Sequence, residues 1–224
     1  QQLESIFAQT RLPDEIILCD DVSRDNTVAI AEEFQDKGIA LNIHRNTDNL
    51  GFVKNFRQCI SMCTGDIIFL CDQDDIWEPN KTEQLCNLME ARPEILSLCT
   101  NYRYIDSDGA WISVSETGDN KFYNKFKWDY YKAEGDLYNV SLNRLLSSNI
   151  SPGATQVVRR SILEEYFREN TMDPHDWVLN RVAALHRGAF YYDVPLTRYR
   201  LHANQTIGVP DFLIAKERRD FATI

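Results

Sequence analysis

A chain of 224 residues, 43% hydrophobic and 26% charged, has enough apolar content for one large globular domain or two small ones. No apolar run approaches the ~20 residues of a membrane-spanning helix, and a formal net charge of −10 argues against a surface built for nucleic acid or anionic lipid. A small anionic ligand suits this charge only when a divalent cation accompanies it.

The first half alternates strand and helix signals. "EIILC" (15–19) is a short apolar strand that runs into Asp20 and Asp21. A helical period follows over 27–38, closed by Gly38, and then a strand over 39–44. Residues 51–65 place Phe52, Phe56, Cys59, Ile60 and Cys63 on one helical stripe. "DIIFLC" (66–71) is a third strand, 81–92 a helix stopped by Pro93, and 95–105 a fourth strand turned back by "DSDG". The second half is less regular. The aromatic and polar stretch 117–136 reads as a long loop or short helices, 136–149 as a helix and 153–160 as a strand. After a helix at 161–169 comes a strong one at 175–188, with Asp176 in its first turn and Gly188 at its end, and 189–202 is extended. Strands alternating with helices imply right-handed βαβ units and a mostly parallel, Rossmann-like central sheet flanked by helices. The chain divides into a regular half, 1–105, and a less regular half, 106–224, of one domain. The six cysteines form no CxxC pair and read as reduced, buried thiols.

In open α/β sheets ligands bind at the carboxyl ends of the strands. Asp20 and Asp21, and then Asp72, Asp74 and Asp75 in "DIIFLCDQDDIWEPN" (66–80), fall at such ends. Like charges this close repel, so a positive partner is expected. Hard cations such as Mg²⁺ and Mn²⁺ prefer carboxylate oxygen and share their shell with phosphates. Asp72 and Asp74 point the same way in extended chain. The bland alternatives are a solvated acidic loop, or helix caps from Asp75 and from Ser23, Asp25 and Asn26.

These clusters combine with "SIFAQTRLPDEIILCDDVSRDNT" (5–27), "NTDNLGFVKNF" (46–56), "PHDW" (174–177) and "YRLHANQTIG" (199–208). In that order the chain resembles a family 2 glycosyltransferase of the GT-A fold, and "DQDDIW", "HDW" and "YRLH" resemble its bacterial rhamnosyltransferase-like members. The resemblance implies that Asp21 accepts the N3–H of a uracil or thymine, with Asp20 and Gln73 as further nucleotide-sugar contacts. It makes Asp72 and Asp74 the Asp-x-Asp pair, with Asp74 the direct metal ligand, and sets His202 near metal and diphosphate. Lys54 matches a position that is often basic, Gly153 a loop near the acceptor, and Asp176 the general base. The implied activity is metal-assisted, inverting transfer from a dTDP- or UDP-sugar to a glycan or lipid-linked glycan. Its implied setting is the cytoplasm, at the inner membrane face where the acceptor is lipid-linked. The family begins with a central strand that this chain lacks. Rival readings are a degenerate nucleotide-sugar-binding domain and a haloacid-dehalogenase-type phosphatase. Residue by residue, Asp176 could merely cap its helix, His202 could be a surface histidine, and Trp77 and Trp177 read as packing residues. The aromatics at 122–131 could bind an acceptor sugar, though burying a loop is their more ordinary use.

Overall fold

The computed structural model describes residues 1–112 and 130–202. A short helix α1 (Gln2–Phe7) leads to strand β1 (Glu15–Asp20), helix α2 (Thr27–Glu32) and strand β2 (Ala40–Arg45). β1 and β2 pair in parallel as a two-stranded sheet of their own. Helix α3 (Phe52–Met62) starts at Gly51, whose φ of 77° suits a residue without Cβ. Its apolar stripe packs on β1, where the Cys59 thiol meets the Ile17 carbonyl at 3.3 Å. Glu15, at the start of β1, accepts from the backbone N–H groups of Thr64 and Gly65 just beyond α3.

The larger sheet contains β3 (Ile67–Phe69), β4 (Ile76–Trp77), β5 (Ser97–Ile105), β6 (Tyr130–Glu134), β7 (Leu137–Val140), β8 (Gln156–Arg159) and β9 (Ala189–Arg200). Its order is β3-β8-β5-β9-β7-β6, with β4 also on β9. β5 and β9 pair in parallel, and the other pairings are antiparallel. β3, β5, β6 and β9 therefore run one way, and β4, β7 and β8 the other. In the first half β1 and β2 pair in parallel and β3 and β5 run the same way, and β8, from the second half, inserts between β3 and β5.

β5 is buried on both sides at its start, as a central strand requires. Cys99 faces a core with Ile60 of α3, Leu145 of helix α5 (Leu142–Ser147), Tyr166 of helix α6 (Leu163–Arg168) and Leu179 of helix α7 (His175–Leu185). Leu98 faces the opposite layer, where helix α4 (Lys81–Ala91) brings Leu85 and Met89 against Val157, Phe190 and Leu196.

Three expectations need correction. Residues 130–134 and 137–140 form a hairpin across Gly135 instead of loop and helix, and only 142–147 is helical, capped by the Ser141 hydroxyl. The reason is tertiary: Leu137 and Val140 turn into the core while Leu137, Tyr138 and Asn139 pair with β9. The helix expected over 27–38 runs only to Glu32. The helix expected over 175–188, with Gly188 at its end, runs only to Leu185. Arg187 takes the positive φ of 57°, and a Cβ on Gly188 would stand 2.5 Å from Leu96 Cγ. Residues 117–129 and 203–208, used in the sequence reading, lie outside the described residues. Among the described residues no helix is long and apolar enough to cross a membrane.

Candidate active site

The carboxyl end of β3 opens into the loop that carries Asp72, Gln73, Asp74 and Asp75, and β9 dictates its shape. β4 pairs with β9 through Ile76 opposite Arg198 and Trp77 opposite Thr197. Arg200, the last residue of β9, donates its backbone N–H to Asp75 Oδ1 at 2.9 Å and its Nε to the Asp74 carbonyl at 2.6 Å. Its Nη1 reaches the carbonyls of Asp106 (2.7 Å) and Ser107 (2.9 Å). Two residues on, His202 Nε2 lies 2.8 Å from Asp74 Oδ2. Among the described residues, no group of three or more His, Cys, Asp or Glu side chains is close enough to hold a metal ion. Asp74 and His202 are in direct contact, and the charge of Asp74 is felt at Asp72.

Burial, with the charges of Asp74 and Asp176 added, pushes the Asp72 carboxyl up to about 7. Burial likewise drives Asp75 up to about 8. The counter-charge sits underneath. Lys81, fully buried at the first turn of α4, donates Nζ to the Ala154 carbonyl at 3.0 Å and to Thr197 Oγ1 at 2.9 Å, 4.3 Å from the centre of the Trp77 ring. Desolvation lowers this ammonium to about 7. Lys81 thus ties the loop after Pro152 to the strand that frames the acidic loop.

α7 enters the cleft from the other side. It starts after Pro174, so His175 and Asp176 occupy its first turn, and both are buried. Burial raises the Asp176 carboxyl, while the N–H groups of Trp177, Asp176 and Gly153 and the Asn149 amide pull it back. Asn149 Nδ2 donates to Asp176 Oδ2 at 2.7 Å. Gly153 lies against this pair: a Cβ there would stand 3.0 Å from His175 Nε2 and 3.3 Å from Asp176 Cβ. His175 stacks on Phe56 at 3.9 Å and 12°, and desolvation lowers it to about 4. Trp177 and Trp77 are packing residues, Trp177 with its Nε1 on the Leu145 carbonyl at 2.5 Å and Trp77 buried.

Asp72, Asp74, Asp176, Gly153 and His202 thus share one region. Asp20 and Asp21 stand at the end of β1 in the other sheet. Asp20 accepts from the Ser23 N–H at 3.3 Å. Asp21 accepts from the N–H groups of Leu50 and Gly51, each at 2.8 Å, and from Asn46 at 2.9 Å. Burial opposes its charge, but these donors hold it below the usual carboxylate range. No hydrogen bond or ion pair among the described residues links Asp21 to the acidic loop. Lys54, exposed on the first turn of α3, has no such partner either, and Gln73 is exposed at the loop tip. Sequence reasoning missed Lys81, Asn149, Gln156 and Asn180.

Residues 1–167 match the family described as glycosyl transferase family 2. The chain belongs to that family. Membership removes the phosphatase reading. This glycosyltransferase domain is 28% identical, over 98% of its length, to the dTDP-rhamnosyl transferase RfbG of Shigella flexneri, and spans 73% of that protein. It is also 28% identical over 91% of its length to Rv1520 of Mycobacterium tuberculosis, spanning 55% of it. Among solved structures it resembles Staphylococcus aureus TarS in complex with UDP-GlcNAc, with a TM-score of 0.64, 17% identity and coverage of 91% of this chain and 55% of TarS 1-349. It also resembles the mannosyltransferase PcManGT of Pyrobaculum calidifontis, in complex with GDP-Man and Mn²⁺, at a TM-score of 0.60 and 18% identity, covering 98% of this chain and 59% of the other. The GT-A fold expected from the sequence is the fold observed.

Proposed function

We propose that this domain is an inverting transferase that moves a sugar from a dTDP- or UDP-linked donor to a hydroxyl of a glycan or lipid-linked glycan. The observation that carries the reading is the buried carboxylate of Asp176, at the start of α7 and close enough to Asp72 for its charge to be felt there. Asp176 takes the proton from the acceptor hydroxyl. The acceptor oxygen bonds to the anomeric carbon as the bond to the diphosphate breaks on the opposite face, its electron pair leaving with the phosphate. One in-line displacement inverts the centre. Gly153, which lacks a Cβ where its loop packs against Asp176, lies on the acceptor side, while Lys54, Gln73, Asp20 and Asp21 serve the nucleotide side.

A divalent cation, Mg²⁺ or Mn²⁺, fits the donor set. Asp74 and His202 offer carboxylate oxygen and imidazole nitrogen 2.8 Å apart, amid carboxylates with a single buried lysine beneath them. Such an ion, when bound, neutralises charge on the departing diphosphate. Asp72 adds negative charge beside it. The named activity of RfbG supports a dTDP-sugar donor, and the TarS complex supports a UDP-sugar. A lipid-linked acceptor would set the reaction at the cytoplasmic face of a membrane.

The test is a thermal-shift panel of dTDP-rhamnose, UDP-GlcNAc and other nucleotide sugars, each with and without Mn²⁺. It is followed by NMR of the anomeric configuration of any product. A metal-dependent shift and an inverted product are expected. No shift with any donor, or retention of configuration, would overturn the reading.

A further inference from the structure

Asn149 lies in the turn after α5, in a stretch that carries no motif. Its amide is nevertheless fixed from both ends. Oδ1 accepts from the Ile150 N–H at 2.9 Å and from Asn180 Nδ2 at 3.2 Å. With two donors on the oxygen, the nitrogen must face the other way, where Nδ2 meets Asp176 Oδ2 at 2.7 Å. Asn180 is held in turn, its Oδ1 accepting from Ser97 Oγ at 2.7 Å and Gln156 Nε2 at 3.0 Å. Gln156 Nε2 also reaches the Asp176 carbonyl at 3.2 Å. Ser97, Gln156 and Asn180 are all buried. No member of this relay carries a charge. An arginine at the same place would pin the carboxylate as an anion and strip its basicity. An amide dipole orients it and leaves it able to take a proton.

We propose that Asn149 is a positioning residue for transfer. Its amide clamps Asp176 Oδ2 and so presents Oδ1, which has no side-chain partner among the described residues, to the acceptor hydroxyl. The inference rests on Asp176 being the base. The titratable groups around that carboxylate are Asp72 on the acidic loop, Cys99 on β5, Tyr166 on α6 and His175 on its own helix, with Lys81 on the neighbouring Ala154 carbonyl. None of these side chains donates it a hydrogen bond, so beside the backbone N–H groups of Trp177, Asp176 and Gly153 the Asn149 amide is the side chain that sets its direction.

The test compares Asn149→Asp and Asn149→Ala with the wild-type protein and Asp176→Asn. Transfer from dTDP-rhamnose or UDP-GlcNAc, whichever the protein turns over, is followed across pH 5–9. Asn149→Asp keeps the acceptor for Ile150 and Asn180 but replaces the donor with an oxygen. It should lower kcat by about tenfold or more and move the acidic limb of kcat/KM upward by about one pH unit, with the donor KM within about twofold. Asn149→Ala should lower kcat by a similar factor. UDP binding with Mn²⁺ reports whether each variant keeps its fold. An unmoved limb and an unchanged kcat, with Asp176→Asn inactive, would overturn the clamp alone. Full transfer by Asp176→Asn would overturn the base and the clamp together. Loss of UDP binding in both Asn149 variants would make Asn149 a packing residue and also overturn the proposal.

Discussion

His175 gives the sharpest prediction about stability. Its ring is buried between Phe56, on which it stacks, and the Gly153 backbone, and desolvation lowers it from the ordinary 6.5 to about 4. The sign follows from proton counting. Between those two values the unfolded chain binds a proton that the folded chain refuses, so folding weakens as pH falls through that window. The stabilisation is complete above 6.5 and lost toward 4. A 2.5-unit gap corresponds to about 3 kcal/mol in full, and about 2 kcal/mol of it appears between pH 7.5 and 5. Asp72 and Asp75, held above the usual carboxylate range, act in the opposite sense, gaining stability as pH falls. The experiment is therefore a difference. Urea unfolding of the wild-type protein and of His175→Phe, which keeps a ring on Phe56, is measured at pH 7.5 and pH 5. The wild type should lose about 2 kcal/mol more than the variant over that interval. Equal losses would mean that His175 accepts a proton in the folded state, and the burial argument would be wrong.

Asp176→Asn should reduce kcat by about 10²–10⁴ while leaving the Mn²⁺-dependent binding of UDP near the wild-type value, read by single-turnover kinetics and calorimetry. Asp74→Ala, or addition of EDTA, should remove the donor-induced rise in melting temperature, because the ion then loses the carboxylate oxygen paired with His202. Gly188→Ala should cost about 1–3 kcal/mol in urea unfolding, since the new methyl would stand 2.5 Å from Leu96 Cγ, with no change in donor affinity.

How much of this was legible in the sequence depends on how local its cause is. The βα alternation set the carboxylates at strand ends because a strand ending in Asp20, or one running into Asp72, needs only its own residues to be read. Asp176 was legible for the same reason, as an acid in the first turn of a strongly periodic helix. The hairpin at 130–140 was not, because β7 is held in the sheet by its pairing with β9, some fifty residues away. Lys81 reads as a solvent-facing residue at the start of a helix. It is buried because Trp77 covers it and two acceptors from distant segments meet its ammonium. Gly188 carries the composition of a cap, yet its role is set by Leu96 from another element. Asn149, Gln156 and Asn180 are neutral amides with no spacing in common, and only the fold makes them a relay.

The charge pattern of the cleft has a consequence for how a donor enters. Asp74 and, in part, Asp72 supply the negative charge, burial favouring the protonated form of Asp75 and raising Asp176, and Lys81 is a buried amine with two of its three N–H donors on Ala154 and Thr197. Arg200 is spent too, on the backbone carbonyls of Asp74, Asp106 and Ser107 and on the Gln1 side chain. Between them these two cations have eight N–H donors, and six already have acceptors within the protein. Among the described residues, a diphosphate approaching Asp72 and Asp74 therefore meets like charge with few side-chain donors left to receive it, and at about 4 Å that repulsion amounts to about 4 kcal/mol per pair near a protein surface. Lys81 and Arg200 give the loop its shape, and a divalent cation arriving with the ligand would supply the positive charge that a phosphate requires. On this argument metal and donor bind as a coupled pair, and the affinity of each should rise in the presence of the other by the same factor.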